Sequence, residues 1–173
     1  MPGKSPILLI DANVLIDYQK SDLAVLELAA HYVGEIHVLT AIIEEVDGLA
    51  AGDFERLGLK VDDPDVNQLL RAGRRRGPLS FGDYLCLIVA ADAGFTCVTN
   101  DKSLRKACLD EGVAVMWGLE LMVKLVQANS LRAAEAVNIA RRIHGSNPLH
   151  IPQPLLDRFA EKVARIESTQ RRK

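Results

Sequence analysis

The sequence predicts an α/β protein with a central parallel sheet, followed by a helical extension. Three observations carry this. Short, mainly apolar runs recur at Ile7–Ile10, Ile36–Leu39, Thr96–Thr99 and Val113–Met116. Helical patterns lie between them, and the connections are too long for hairpins, so crossover helices must join parallel strands. Beyond Trp117 only helical patterns follow.

Ile7–Ile10 has no polar face, as expected of a strand buried on both sides of a sheet. Val14 to Tyr18 opens a helix and Ser21 to Tyr32 forms another. After the second strand, Thr40 is placed to cap a helix from Ala41 to about Ala51. Leu59–Val61 is a candidate edge strand. Asp62-Asp63-Pro64 starts a helix that Asp65 to Arg75 continues and Gly77-Pro78 breaks. Ser80 caps a strongly apolar helix, Phe81 to Ala93, which Gly94 ends. Asn100-Asp101 leads into a helix through Asp110, closed by Gly112. In the extension the helical patterns are Leu119–Ala128, Leu131–His144 and Pro154–Ile166, interrupted at Asn147-Pro148 and Ile151-Pro152. The expected division is an α/β domain over 1–117, a helical extension packed on it over 118–167, and a frayed polar tail over 168–173.

Of the 173 residues, 49% are apolar and 25% charged, a globular balance that argues against disorder. With 21 basic and 23 acidic residues the net charge is -2, which excludes a general basic coat but not a local basic patch. No apolar run approaches the roughly 18–20 residues that span a bilayer. Ile7–Ile10, reached directly from Met1–Pro6, is too short for a signal-peptide core and lacks a small-residue cleavage site. Cys86, Cys97 and Cys108 are widely spaced and form no CxxC pair, so neither a disulfide framework nor a cysteine zinc site is indicated. A soluble, cytoplasmic protein with no membrane partner is expected.

Four carboxylates stand where such a fold binds ligands, beyond the carboxyl ends of the strands. Asp11 follows the first strand, and Asp101 the third. Glu45 falls in the helix after the second strand, and Asp83 in the first turn of the apolar helix. Glu45 and Asp83 have apolar neighbours, and a carboxylate on a buried flank is costly unless paired or bound to a cation. Converging carboxylates raise one another's pKa. Mg²⁺ or Mn²⁺, which favour oxygen ligands, would remove that cost. Metal-assisted phosphodiester hydrolysis is the chemistry such a set supports. Each residue also has an ordinary use. Asp83 and Asp101 complement helix dipoles, and Asp11 is a turn residue. Glu44 competes with Glu45 for the inward position, which the spacing from Thr40 gives to Glu45. Asp17, Asp47 and Asp92 are expected as solvated surface acids.

Asp11-Ala12-Asn13-Val14-Leu15-Ile16-Asp17 after a buried strand resembles the opening motif of PIN-domain nucleases, Asp-x-Asn followed by aliphatic residues. TAIIEEVDGL, Thr40 to Leu49, resembles the second motif with its acid on Glu45. LSFGDYLCLIVAADAG, Leu79 to Gly94, resembles the third with its acid on Asp83. Val98-Thr99-Asn100-Asp101 resembles the fourth with its acid on Asp101. The four occur in order between residue 7 and about residue 117. The resemblance implies a Rossmann-like three-layer α/β/α sandwich, one or two Mg²⁺ or Mn²⁺ ions, and single-stranded RNA as substrate. It implies Asp11, Asp83 and Asp101 as metal ligands, and Glu45 as a ligand or the group orienting the attacking water. Asn13 and Thr99 either fix carboxylate geometry or serve as turn and cap residues. Members of this size are often VapC-like toxins, homodimers held inactive by an antitoxin protein. The helices after Gly118 depart from the shortest such toxins. An RNA-processing or repair nuclease of the same fold, or a non-catalytic scaffold binding RNA or protein, are the alternatives.

Arg71, Arg74, Arg75 and Arg76 cluster before Gly77-Pro78. They could hold an RNA backbone, meet an acidic antitoxin surface, or form a solvated helix end. Lys102, Arg105 and Lys106 would extend the patch, whereas Arg171-Arg172-Lys173 belongs to the tail. With 5% aromatic residues, no base-stacking platform is evident. His31, His37, His144 and His150 lack ligand spacing, and the last two are expected to be structural. Trp117 is expected in the core. Leu121, Leu125 and Val126 form an apolar stripe that packs on the body or lines a dimer.

Overall fold

The computed structural model describes residues 5–172. The segment before Ser5 and Lys173 of the expected tail lie outside these residues. Five strands, β1 (Ile7–Ile10), β2 (Glu35–Leu39), β3 (Lys60–Asp62), β4 (Thr96–Val98) and β5 (Val115–Met116), form one sheet in the order β3-β2-β1-β4-β5. Every pairing is parallel. Helices flank the sheet in a Rossmann-like three-layer α/β/α arrangement, as the sequence predicts.

The helices are α1 (Ala12–Ser21), α2 (Ala24–Tyr32), α3 (Thr40–Ile43), α4 (Ala51–Arg56), α5 (Val66–Arg74), α6 (Phe81–Ala93) and α7 (Lys102–Asp110). After β5 come α8 (Glu120–Gln127), α9 (Ala133–Ser146) and α10 (Gln153–Gln170). From β1 the chain moves outward to β2 and β3, then returns across the sheet to β4 and β5. Right-handed crossovers therefore put α1 and α2 on one face and α6 on the other. α6 packs on β1 and β4 with α5 and α7 beside it, while α2 packs on β2.

The central strand is apolar because both its faces are covered. Leu8, Leu9 and Ile10 are fully buried, opposite Ile36 and His37 on one side and Thr96, Cys97 and Val98 on the other. α6 is capped at both ends as its sequence predicts. Ser80 and Asp83 cap its start reciprocally, and Gly94 takes the left-handed conformation at its end (φ 70°). Removal from water of its run Tyr84–Ala90 fixes the helix on the sheet, at about 1.5–3 kcal/mol for each large apolar side chain.

The extension shares this core. α8 packs on α2 and α9 on α1, with α10 laid across both. Leu121 and Leu125 are wholly buried and Val126 nearly so, which settles their stripe as packing on the body. One apolar cluster runs from Leu8 through Leu121 and Ile139 to Val163. Among the described residues no helix is long and apolar enough to cross a membrane. Cys86, Cys97 and Cys108 are buried free thiols.

Several local expectations need correction. The helix expected over 41–51 is two short ones, α3 and α4, separated by turns, with Gly48 at φ 79°. Thr40 does not cap α3. Leu39 holds that position, and the Thr40 hydroxyl donates to Asp63 Oδ1 (2.8 Å), tying the ends of β2 and β3 together. α10 continues through Gln170 rather than fraying at 168, because the Gln170 amide donates to the Val126 and Gln127 carbonyls at the end of α8 (3.1 and 2.9 Å). Trp117 is half-buried rather than core, with the Arg105 guanidinium 3.9 Å above its ring.

Candidate functional site

The order of strands reverses between β1 and β4, and in sheets of this kind the carboxyl ends of the strands at such a switch point are where ligands bind. Asp11 is the first residue past β1. Its N–H donates to the Val98 carbonyl (3.2 Å), which pins it beside β4. Its carboxylate caps α1, with Oδ1 accepting from the Val14 N–H (2.9 Å). Oδ2 accepts from the Thr99 hydroxyl. Thr99 Oγ1 in turn accepts from the Asp101 N–H (3.0 Å), so one hydroxyl links the acids at the ends of β1 and β4. Thr99 thus braces Asp11. Asn13 lies half-buried in the first turn of α1.

Asp101 caps α7, its Oδ1 accepting from the Leu104 N–H (2.8 Å). Asp83 Oδ2 accepts from the Ser80 N–H while Ser80 Oγ accepts from the Asp83 N–H, both at 3.1 Å. Three of the four predicted acids therefore begin helices, and the ordinary use is real for each. Each cap engages one carboxylate oxygen and leaves the second for another partner.

Electrostatics distinguish this group from ordinary caps. Asp11 is 1% exposed, and burial pushes its pKa up to about 7 against the lowering effect of its hydrogen bonds. The charges of Asp83 and Asp17 push the same way. Glu45 is also raised, by partial burial and then by Asp83. Asp11, Asp83 and Glu45 thus lie within electrostatic reach of one another. Glu45 is not on a buried helix flank: α3 ends at Ile43, and Glu45 sits exposed in the following turn. Its carboxyl reaches back over Gly82, where an added Cβ would collide with Oε1. Glu44 and Glu45 are both exposed residues, and it is Glu45 that meets Gly82 and the field of Asp83.

Asp17 corrects an expectation. It is 3% exposed, not a surface acid. On α1 it falls on the side of Val14 and Tyr18, a helical-wheel signal that its charge obscured. Asn100 and Asn147 each donate to one of its oxygens (3.0 Å). Asn100 Oδ1 accepts from the Gly118 N–H (2.8 Å), and the Gly118 carbonyl accepts from the Tyr18 hydroxyl (2.6 Å). Burial raises the Asp17 pKa, while the two amides and the field of His150 oppose it. Asp47 and Asp92 are exposed, as expected.

His150 also departs from expectation. His144 is structural, its Nδ1 bonded to the Ile151 carbonyl (2.7 Å). His150 instead reaches the site, its Nε2 3.7 Å from Asp101 Oδ2. Sequence spacing could not show this, because the pair is joined by tertiary packing across the extension.

The arginine cluster is partly committed. Arg71 pairs with Asp92 (2.7 Å), and Arg75 grips Glu111 through two bonds (2.6 and 3.1 Å) while lying over Tyr84. Arg76 bonds the Gly73 and Arg75 carbonyls (3.1 and 3.0 Å), and Arg74 is exposed. Lys106 pairs with Asp110 (2.6 Å). An apolar groove of about 170 Å³, lined by Trp117, Val123, Leu155 and Phe159 among others, contains none of the four carboxylates.

A hard divalent cation suits these residues in kind. All four acids offer oxygen donors, and their mutual repulsion is what a cation would relieve. Among the described residues no three His, Cys, Asp or Glu side chains are already gathered closely enough to hold one. Capping turns Asp11, Asp83 and Asp101 toward their own helix starts, and repulsion opposes closer approach. Comparison with protein-family models and with curated proteins finds no match for this chain. Fold and geometry together define an α/β protein whose parallel sheet holds Asp11 and Asp101 on either side of Thr99 at its switch point, with Asp83 in electrostatic reach of Asp11 and Glu45.

Proposed function

We propose that this protein is a metal-dependent endoribonuclease that hydrolyses phosphodiester bonds of single-stranded RNA. The observation that carries the reading is the burial of Asp11 at the switch point within the field of Asp83, next to Asp101 through Thr99. An ionised carboxylate there is unfavourable for the fold alone. The ordered motif resemblance supports the same conclusion and supplies the substrate class.

Asp11, Asp83 and Asp101, with Glu45, would hold Mg²⁺ or Mn²⁺. The bound cation would polarise the scissile phosphate and acidify water. Thr99 holds Asp11 in place. Glu45, exposed and raised in pKa, orients the attacking water and accepts its proton. The water oxygen forms a new P–O bond, one P–O ester bond breaks, and the departing oxygen takes a proton from solvent. The products are a phosphate monoester and an alcohol. Arg74 and Arg76 remain candidates for backbone contacts, since Arg71 and Arg75 are held in ion pairs.

By the same resemblance we propose a cytoplasmic homodimeric toxin neutralised by a protein antitoxin. Co-expression with the product of an adjoining small reading frame tests that role. The nuclease reading is tested by incubating an RNA pool with Mn²⁺ or Mg²⁺, with EDTA and Asp11→Asn as controls. Cleavage lost in both controls is expected. A folded protein that neither cleaves RNA nor binds Mn²⁺ would instead be a non-catalytic scaffold.

A further inference from the structure

The loop between α9 and α10 is fixed at both ends. The Asn147 N–H closes α9 on the Ile143 carbonyl (2.8 Å), and its side chain donates to Asp17. Ile151 is fully buried, its N–H donates to the Asn147 carbonyl (3.0 Å), and its own carbonyl meets His144. Of the three residues between these anchors, Pro148 and Leu149 are exposed, Leu149 to 82%. His150 is half-buried and reaches Asp101.

We infer that His150 is a substrate-binding residue, its imidazole Nε2 contacting a phosphate oxygen of the RNA backbone at the Asp101 edge of the site. This rests on the nuclease reading. The 3.7 Å separation from Asp101 Oδ2 is too long for a hydrogen bond, so the ring is aimed at the site without being spent on it. Both side chains keep about a fifth of their surface open (21% and 23%), so an incoming group can reach them. A cluster of carboxylates repels an anionic backbone, and a nitrogen donor on a rigid mount at its edge offsets that repulsion. The extension would then be a wall of the site as well as a support.

The test uses the full chain and its His150→Ala and His150→Gln variants, with thermal melting to confirm folding. Binding of a fluorescent single-stranded RNA is followed by anisotropy in Ca²⁺, with gels showing the RNA intact. Mn²⁺ affinity is measured by calorimetry. The alanine variant should weaken RNA binding about tenfold. The glutamine variant, which keeps an N–H donor, should recover most of it. Mn²⁺ affinity should stay at the parent value in both. Unchanged RNA affinity in the alanine variant overturns the inference. So does a matching loss of Mn²⁺ affinity, which would make His150 a positioning residue for Asp101. A parent protein that binds no RNA overturns the nuclease reading along with it, and that result is distinguishable because His150 is then intact.

Discussion

Asn147, in the loop between α9 and α10, donates a 3.0 Å hydrogen bond to Asp17 on α1, 130 residues earlier in the chain. Asp17 takes its second amide from Asn100, which adjoins Asp101. A buried carboxylate thus joins the extension to the loop that carries a candidate ligand. Replacing Asn147 by Ala removes half of that solvation. Urea unfolding should show a loss of about 1–3 kcal/mol. Asp17→Asn should also destabilise, since one of its atoms becomes a donor facing an amide donor.

Burial of Asp11 predicts a pH-dependent stability. It pushes the Asp11 pKa up to about 7, well above the ordinary aspartate value of about 3.9. The folded state therefore holds the proton longer, and stability falls as pH rises from about 4 to about 7. The loss from this group is on the order of 4 kcal/mol and is complete above pH 7 or so. Glu45 and Asp17 are raised too and act in the same direction. Melting in EDTA across this range should show the decline, and Asp11→Asn should flatten it.

The capping role of Asp83 and the metal binding proposed for it can be separated. Ser80→Ala removes one arm of the reciprocal cap and should cost about 1 kcal/mol with Mn²⁺ affinity retained. Asp83→Asn keeps an oxygen able to accept from the Ser80 N–H but loses the charge. Its stability should change little while Mn²⁺ binding and cleavage fall at least about tenfold. Calorimetry and unfolding on both variants decide the matter.

Gly82→Ala displaces Glu45 without altering any carboxylate. The new Cβ would collide with Glu45 Oε1 and lie 3.1 Å from Ile42 Cδ1. A helical Gly→Ala change by itself stabilises by about 0.5–1 kcal/mol, which offsets part of the crowding. A melting temperature close to the parent's with reduced kcat is the expected pair of results.

Much of the scaffold was legible because burial leaves a direct imprint on sequence. α6 needed no tertiary information: Ser80, Asp83, the apolar run and Gly94 specify it locally. β1 and β4 were visible as short apolar runs beside Asp11 and Asp101. The stretch after β2 carries a misleading signal, because Ile42, Ile43, Val46 and Leu49 have helical spacing while the chain turns at Glu44–Gly48 to reach α4. At the candidate site, the acids were legible from their position in the topology. Asp17, Asn147 and His150 were not, because the bonds of Asp17 to Asn147 and the approach of His150 to Asp101 exist only once α9 has packed on α1.

Gly118 sits where composition divides the chain, yet its N–H is held by Asn100 and its carbonyl by Tyr18. A Cβ there would stand 2.7 Å from Asn100 Nδ2 and 2.9 Å from Val14 Cγ2. The compositional boundary is therefore a knot of contacts and not a linker. A chain truncated at 117 would lose the partners of Asn100 and Tyr18 together with the cover over α1. The place that looks most natural for cutting the protein in two is among the worst, and a stable minimal fragment has to carry the later helices with it.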